Sequence, residues 1–259
     1  MNNYELINKI MKKKELSQLP KKDVKRVFII FDKEKYSDIE KIKLTREVLN
    51  KLFWGFRSQK LLSPKNKDEE WILRKHLSTR ERLLYYPKIY NKVFGNLNQA
   101  SVIDLGAGVN GFSYKYFPCK VDYVGVEAVG QLVNLTNIYF EKKKINGKMH
   151  HFSLLELDKI KKIIKKTKKP RIVFLFKVLD SLEIIERDYS KKLLNEIVPM
   201  ADRIVISFAT KSMIKREKFK VSRRWILDFI KQRFKILDDF EIGGERYFFL
   251  TKKASPRFA

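Results

Sequence analysis

The sequence predicts an α/β protein in which a mostly parallel, doubly wound sheet follows a small bundle of helices. Three observations lead to this fold class. Short apolar runs alternate with amphipathic segments over residues 102–208, as the strands and crossover helices of a parallel sheet do. A glycine-rich loop follows the first of these runs, whereas no glycine precedes Gly55 and helical periodicities fill that part. With 259 residues, the chain can form one large α/β domain and a small appendage.

Three amphipathic helices are predicted at the N-terminus, over residues 6–11, 23–31 and 37–56. Residues 1–75 hold 20 lysines and arginines against 11 acids. Because neutralising phosphates supplies most non-specific affinity for nucleic acid, we predict that residues 1–75 form a basic domain that docks on RNA. A solvated lid is the alternative. Residues 76–259 are then the α/β domain.

A capping-box pattern, S-T-R-E, lies at residues 78–81, with Ser78 as N-cap and Glu81 at the third helical position. Arg80 and Arg82 would then lie in the first helical turn, where the helix dipole disfavours cations. That placement favours an anionic target such as a carboxylate or a phosphate. Two solvated surface arginines are the alternative. Pro87 begins a short helix that runs on to residue 94.

Seven strands are predicted after this helix. Five of them lie at residues 102–105, 121–127, 150–154, 171–177 and 203–208, with helices at 132–141, 181–197 and 225–234 between or after them. The last two strands, at residues 235–242 and 245–251, meet at Gly243 and Gly244 and form an antiparallel hairpin. Five parallel strands closed by a reversed pair are the usual architecture of class I methyltransferases.

The segment S-V-I-D-L-G-A-G-V-N-G, which ends at Gly111, contains the spacing G-x-G-x-x-G with Gly106 and Gly108. The spacing alone also fits an ordinary turn. However, Asp104 precedes the first glycine by two residues, and Glu127 ends the next strand, where a ribose-binding carboxylate belongs. S-adenosylmethionine carries an ammonium, a sulfonium and no phosphate, so it suits an acid at this place. We predict a methyl-donor loop and a class I SAM-dependent methyltransferase with a Rossmann-like seven-stranded sheet.

The net charge of +27 favours a polyanionic partner, such as RNA, DNA or an acidic membrane surface. The lysine-rich bias of an AT-rich genome is the alternative. The single cysteine, Cys119, excludes an internal disulfide and a C-x-x-C metal site. No apolar run approaches 18 residues, and the chain begins without a signal-like segment. We expect a cytoplasmic protein that binds no membrane and no metal and acts as a monomer.

A basic segment at residues 211–224 carries seven lysines and arginines against one acid. It follows the fifth strand, where loops of such sheets border the ligand site. We therefore predict that this segment binds RNA. The candidate residues are Lys211, Lys215, Arg216, Lys218, Arg223 and Arg224.

Five sequence blocks occur in a familiar order. They are H-L-S-T-R-E-R-L at 76–83, I-D-L-G-A-G-V-N at 103–110, L-F-K-V-L-D-S-L-E at 175–183, V-I-S-F-A-T-K-S at 205–212 and I-G-G-E at 242–245. The sequence resembles the 16S rRNA guanine-N7 methyltransferases that confer aminoglycoside resistance, the Arm/Rmt and FmrO-like family. The likeness extends to the N-terminal helices and so covers nearly the whole chain. The block H-x-S-T-x-E-R is its most specific element.

The resemblance implies S-adenosyl-L-methionine as cofactor and 16S rRNA in the 30S ribosomal subunit as partner. It implies that Arg82 binds the donor's carboxylate, that Glu127 binds the ribose, and that Glu156 lies beside the adenine amine. Leu155 stands where the family often has glutamine, and Gly111 where it has proline. The other candidate residues of the donor site are His76, Ser78, Thr79, Asp104, Gly106, Ala107, Gly108 and Phe176.

The resemblance also implies that the target guanine of the decoding site enters beside Lys177, Ser207 and Phe208. Guanine N7 has a free lone pair, so its methylation needs no general base, and catalysis is mostly proximity. Lys177 is a candidate to bind the guanine O6 or a phosphate, and Phe208 to stack on a flipped guanine. A strand-end lysine and a core phenylalanine are the structural alternatives.

Two other functions stay open at this point. The enzyme could methylate another rRNA nucleotide, because residues 214–219 lack the glycines of the family's RNA-facing loop. Alternatively, the chain is a non-catalytic RNA-binding protein of ribosome assembly that retains the fold. A housekeeping role without drug resistance is a third possibility.

Overall fold

The computed structural model describes residues 2–54, 58–62, 67–210 and 223–254. The helices are α1 (Asn3–Met11), α2 (Lys21–Phe31), α3 (Asp38–Leu49), α4 (Glu69–Lys75), α5 (Leu77–Arg82), α6 (Tyr86–Phe94), α7 (Gly130–Lys142), α8 (Leu157–Lys166), α9 (Leu179–Ile185), α10 (Tyr189–Ile197) and α11 (Arg224–Arg233). The strands are β1 (Gln99–Leu105), β2 (Lys120–Glu127), β3 (Gly147–His151), β4 (Arg171–Phe176), β5 (Arg203–Ala209), β6 (Phe234–Ile242) and β7 (Glu245–Lys252).

The N-terminal helices form as their apolar periodicity predicts. Capping boxes begin α1 at Asn2 and α3 at Ser37, where Glu5 and Glu40 complete the reciprocal hydrogen bonds. The third helix is shorter than predicted. It ends at Leu49, a π-helical turn continues to residue 54, and residue 56 lies outside the described residues. The buried faces of these helices join the same apolar core as one face of the sheet.

The sheet has the order β3-β2-β1-β4-β5-β7-β6, with β7 antiparallel to its neighbours β5 and β6. The prediction of five parallel strands closed by a reversed pair is confirmed. The central strand β4 is apolar on both faces because helices cover both sides of the sheet. Phe174 and Phe176 point into one core, while Val173 and Leu175 point into the other. Each such side chain contributes about 1.5–3 kcal/mol when it is fully buried.

Two predicted elements have different bounds. The third strand was placed at residues 150–154, but it ends at His151, because the Ser153 hydroxyl accepts a hydrogen bond from the backbone N–H of Leu155 and turns the chain. The single helix predicted over residues 181–197 is divided into α9 and α10. Asp188 has a φ of +60°, and the Glu183 carboxylate accepts hydrogen bonds from the backbone N–H groups of Asp188 and Ser190 at the break.

The glycine loop turns sharply after β1 in a way that other residues would resist. Gly106 and Gly108 have φ values of +78° and +55°, which side chains with a Cβ rarely adopt. A Cβ on Gly106 would lie 2.8 Å from a methyl carbon of Val178. At Gly111 the absence of a side chain is required for a different reason, because a Cβ there would lie 2.7 Å from Thr136 on α7. A 3₁₀-helix, Asn110–Tyr116, follows the loop.

Candidate active site

A cavity of about 900 Å³, counted with its open mouth, lies at the carboxyl ends of β1, β2 and β4. Ligands bind at this edge in doubly wound sheets, so the position agrees with the prediction from the glycine loop. The predicted site residues that line the cavity are His76, Ser78, Thr79, Arg82, Asp104, Gly106, Ala107, Glu127, Phe176 and Lys177. Gly108 is not among the lining residues, but it is next to the wall, because a Cβ added to it would lie 3.1 Å from Nε2 of His76.

The predicted capping box is wrong. The helix α5 begins at Leu77 with His76 as N-cap, so Ser78 lies inside it and its hydroxyl accepts a hydrogen bond from Arg82 Nη2. Consequently Arg82 is in the last turn, where the helix dipole favours a cation. Its position in the helix therefore does not indicate an anionic ligand. Arg80 is exposed and does not line the cavity, whereas Arg82 is buried and lines it.

Arg82 is held in the cavity wall by contacts from several elements. Its Nη1 donates to Asn110 Oδ1 at 3.1 Å, its Nε lies 3.3 Å from Glu245 Oε2, and its guanidinium lies over the Phe176 ring. Burial alone would lower the pKa of Arg82, but the charge of Glu245 raises it, so the guanidinium stays protonated. Of its five N–H groups, two make hydrogen bonds to described residues. The guanidinium therefore has donors left for an anionic ligand.

Asn110 connects this arginine to the acid at the end of β1. Its Nδ2 donates to Asp104 Oδ2 at 2.7 Å, while its Oδ1 also accepts from the Tyr86 hydroxyl at 2.8 Å. The Tyr123 hydroxyl donates to the same Asp104 oxygen at 2.7 Å. Burial raises the pKa of Asp104 to about 6, and the two hydrogen bonds oppose that rise. The carboxyl is mostly ionised at pH 7.5 and suits a cationic group of a ligand.

Glu127, at the end of β2, is fixed by backbone donors. Its Oε2 accepts from the N–H of Gly108 at 2.8 Å, and its Oε1 from the N–H of Val129 at 2.9 Å. The residue lines the cavity, and each oxygen of a carboxylate can accept more than one hydrogen bond. A carboxylate that is held this way can accept hydrogen bonds from two neighbouring hydroxyls.

Lys177 is the residue after β4, and it has a φ of +57°. Its Nζ lies 2.7 Å from Glu81 Oε2 and 2.9 Å from Glu245 Oε2. Burial alone would raise the pKa of Glu245, but the charges of Arg82 and Lys177 hold it below its usual value. The site therefore contains a balanced cluster of two cations and two carboxylates at the cavity wall.

The side chains predicted at the end of β5 lie apart from the cavity. Phe208 is 3% exposed and packs against Phe248 in the core, and the Arg223 guanidinium lies over its ring. Ser207 is fully buried, and its hydroxyl helps to lower the pKa of Glu245. Arg223 forms an ion pair of 2.8 Å with Asp180. In the described part of the chain, these residues have structural contacts, and their predicted roles stay predictions.

The remaining candidates are divided between surface and undescribed residues. Glu156 does not line the cavity, and its Oε2 forms an ion pair of 2.6 Å with Lys159. Arg224 is exposed at the start of α11. The candidates Lys211, Lys215, Arg216 and Lys218 lie outside the described residues.

Several residues of the site were missed by sequence reasoning. Asn110 is part of the quoted glycine-loop block, and Glu245 ends the quoted I-G-G-E block, yet neither received a role. Asp23, from α2, also lines the cavity, and its carboxylate accepts a hydrogen bond from the Ser153 hydroxyl. Glu245 follows a Gly-Gly turn and so had a local signal. Asp23 had none, because its partner is 130 residues away in the sequence.

The described residues were also considered for a metal site and for a membrane-spanning helix. Over residues 2–54, 58–62, 67–210 and 223–254, no group of three or more histidine, cysteine or acidic side chains has an arrangement that could hold a metal ion. Within the same ranges, every helix is too short or too polar to span a bilayer.

Comparisons with known proteins agree on one group. The family described as ribosomal RNA methyltransferase (FmrO) matches residues 68–235. The 16S rRNA methyltransferase RmtF, solved with S-adenosyl-L-homocysteine, is 19% identical with a TM-score of 0.78, and the match covers 98% of this chain and 100% of RmtF. An rRNA methylase from Escherichia coli is 19% identical with a TM-score of 0.76, over 97% and 100% of the chains.

The 16S rRNA methylase ArmA is 25% identical, with a TM-score of 0.57 over 75% of this chain and 97% of ArmA. The matches that span nearly the whole chain include the N-terminal helices. They confirm the predicted fold class, an α/β domain with a seven-stranded sheet behind a helical N-terminus.

Proposed function

The chain belongs to the ribosomal RNA methyltransferase family FmrO, and from this premise we propose that it methylates N7 of a guanine in the decoding site of 16S rRNA. The methyl donor is S-adenosyl-L-methionine, and the acceptor class is ribosomal RNA. RmtF and ArmA are described as 16S rRNA methylases, which supports the choice of the small-subunit RNA. The net charge of +27 suits such a partner.

The observation that carries the proposal is the order of charges around the cavity. A cation, Arg82, is connected through Asn110 to the carboxyl of Asp104, and the carboxylate of Glu127 follows beyond the glycine turn. An amino acid joined to a nucleoside presents a carboxylate, an ammonium and two ribose hydroxyls. The remaining donors of Arg82, the ionised Asp104 and the carboxylate of Glu127 are the matching partners.

When bound, the donor supplies an electrophilic methyl group on a sulfonium. The chain's own residues would orient it: Arg82 and Asp104 hold the amino-acid end, and Glu127 holds the ribose. The position of Gly106 leaves no room for a side chain, because a Cβ there would lie 2.8 Å from a methyl carbon of Val178. Holding the methyl in line with the nucleophile then gives most of the rate enhancement.

The acceptor side of the cavity suits a nucleophile that needs no deprotonation. At the end of β4 the described side chain is a lysine held between Glu81 and Glu245, and the sequence there lacks the N-P-P-Y or D-P-P-Y run of amino-group methyltransferases. Cys119 precedes β2, at the opposite edge of the sheet from the cavity. A covalent attack of a cysteine on a pyrimidine is therefore not supported, and guanine N7 is the acceptor that we favour.

We propose that residues 1–75 dock on the small subunit and that Lys211, Lys215, Arg216, Lys218, Arg223 and Arg224 contact RNA near the target. Lys177 and Phe208, with Ser207, stay our candidates for positioning the guanine. The protein would act as a monomer in the cytoplasm, and methylation of the decoding site would reduce aminoglycoside binding. Raised minimal inhibitory concentrations of aminoglycosides in a susceptible host that expresses the chain would test this last role.

Purified 30S subunits and a donor with a labelled methyl group test the proposed target. After the reaction, borohydride–aniline treatment cleaves the RNA at 7-methylguanine, and primer extension maps the break. We expect one break at a guanine of the decoding site, and none in 30S subunits in which that guanine is replaced. Label without a break would place the methyl on another atom, and a break elsewhere would reject the decoding site.

A further inference from the structure

The N-terminal bundle forms part of the wall of the donor cavity. Three of its residues line the cavity, namely Asp23 on α2 and Leu52 and Phe53 in the π-helical turn after α3. Asp23 is 2% exposed, although an isolated buried carboxyl is costly unless a partner satisfies it. The proposed target chemistry gives this acid no role, so its position calls for another explanation.

The cavity has a polar end and an apolar end. Arg82 and Asp104 are connected through Asn110 and form the polar end. Asp23 is hydrogen-bonded to Ser153, which precedes Leu154 and Leu155, and α2 contacts α9, which carries Leu182 and Ile185; these residues form the apolar end. Burial is the main cause that raises the pKa values of Asp23 and Asp104, and the charge of Glu127 adds to both. The charge of Glu127 therefore acts on both acids, and the charge of Glu156 also raises the pKa of Asp23.

The Asp23 carboxyl is built into this end of the cavity. Its Oδ1 accepts the hydrogen bond from the Ser153 hydroxyl, whose oxygen in turn accepts from the N–H of Leu155 at 3.0 Å. The pKa of Asp23 is raised by burial to about 6, against the effect of the Ser153 hydrogen bond, so the group is mostly ionised at pH 7.5. An ionised carboxylate is an acceptor only, and it therefore selects a ligand edge that presents N–H donors.

An aminopurine matches this end of the cavity. Its flat faces are apolar, as the leucine and isoleucine side chains require, and its exocyclic amine presents two N–H donors at one edge. The resemblance assigned this amine to Glu156, but that carboxylate is paired with Lys159 and does not line the cavity. Among the described lining residues at the apolar end, Asp23 is the carboxylate.

We propose that Asp23, a residue of the N-terminal bundle, accepts a hydrogen bond from the exocyclic amine of the donor's adenine. The inference rests on the proposed function, because it takes the methyl donor as the occupant of the cavity. It follows that donor binding and the docking of α2 on the α/β domain are linked, since each stabilises the other. The bundle thereby belongs to the donor site as well as to the proposed RNA-docking surface.

Other contacts of the bundle support this arrangement. The Gln18 carbonyl lies 2.7 Å from His151 Nε2, and Arg26 forms an ion pair of 3.3 Å with Glu186. These contacts fix α2 and the segment before it against the carboxyl ends of β2 and β3 and the end of α9. The position of Asp23 in the cavity is therefore set by several independent contacts.

The test compares S-adenosyl-L-homocysteine with S-inosyl-L-homocysteine, in which an oxo group replaces the amine and N1 carries a proton. Calorimetry of the whole chain at pH 7.5 should show a preference of about 10- to 100-fold for the adenosyl ligand. In Asp23→Asn the preference should fall to about twofold or invert, because the amide can donate to the oxo group. The ratio is independent of the folded fraction, so partial unfolding of the variant does not obscure it.

Lys25→Gln is the matched control, because Lys25 lies on the same helix, is exposed and does not line the cavity. It should retain the wild-type preference. An unchanged preference in Asp23→Asn would overturn the inference. Loss of the preference in Glu156→Gln with retention in Asp23→Asn would return the amine to Glu156 and also overturn it. If the wild-type chain binds neither ligand at millimolar concentration, the cofactor of the proposed function is wrong.

Discussion

Replacing Glu245 with glutamine should destabilise the protein markedly while preserving the shape of the side chain. The carboxylate is 1% exposed and lies 2.9 Å from Lys177 Nζ and 3.3 Å from Arg82 Nε. Removing one partner of a buried ion pair costs about 3–5 kcal/mol, because the other charge stays buried. Lys177 keeps Glu81 at 2.7 Å, so we expect the lower end, about 3 kcal/mol.

The pH dependence of this loss follows from the depressed pKa of Glu245. Burial opposes ionisation, but Arg82 and Lys177 stabilise the carboxylate, so the folded pKa lies below the unfolded one. Such a group contributes stability above its unfolded pKa, about 4.3, and this contribution is lost as the pH falls through the folded value. The difference between wild type and Glu245→Gln should therefore be full at pH 7 and shrink below about pH 4.

Urea unfolding at pH 7 and at pH 3, followed by circular dichroism, measures the effect. Glu241→Gln is the matched control, because Glu241 lies just across the turn, is exposed, and accepts from the Thr210 hydroxyl. It should change the free energy of unfolding by less than about 0.5 kcal/mol. If Glu245→Gln lowers the free energy of unfolding no more than this control does, Arg82 and Lys177 do not stabilise the carboxylate as proposed. A loss of the same size below pH 4 would contradict the proposal as well.

Arg82→Lys should raise the dissociation constant for S-adenosyl-L-homocysteine about tenfold or more, because lysine lacks the planar fork, while Arg80→Lys should not change it in calorimetry. Gly106→Ala should destabilise by about 1–3 kcal/mol, since φ is +78° and a Cβ would lie 2.8 Å from Val178. Gly95→Ala, with φ of +55° and open space, is its control and should cost less in thermal unfolding. Affinity for the same ligand should fall by up to about tenfold from pH 7.5 to 5, because protonation of Asp104, whose pKa is about 6, removes the charge that holds the ammonium. Equal affinities across that range would contradict the last prediction.

Local patterns predicted the strands and turns of the sheet well, because each of them is determined mainly by residues that are neighbours in the sequence. The apolar run of β4 is one example, because six consecutive residues already indicate a strand that is buried on both faces. The Gly-Gly turn between β6 and β7 is another, because the two glycines by themselves indicate a tight turn. The cap at Ser78 failed for a tertiary reason. Its hydroxyl accepts from Arg82, and Glu81 accepts from Lys177, 96 residues away, so neither side chain serves the helix end.

The donor end of the site was predictable in outline, because the glycine loop and the acids near it have fixed positions in such sheets. The contacts that complete it were not. Asp23 reaches the cavity only when α2 docks beside Ser153, and Glu245 meets Arg82 only when the reversed strand β7 lies beside β5. Such long-range juxtapositions have no local sequence signal. The candidates at residues 211, 215, 216 and 218 lie outside the described residues and remain predictions.

The methylated nucleoside itself tests the central claim most directly. The whole chain is incubated with 30S subunits and S-adenosyl-L-methionine, the 16S rRNA is digested to nucleosides, and the products are identified by liquid chromatography with mass spectrometry. We expect one additional 7-methylguanosine per 16S rRNA, and none when Asp104→Asn replaces the wild-type chain. A methylated adenosine, cytidine or uridine, or guanosine methylated at another atom, would contradict it.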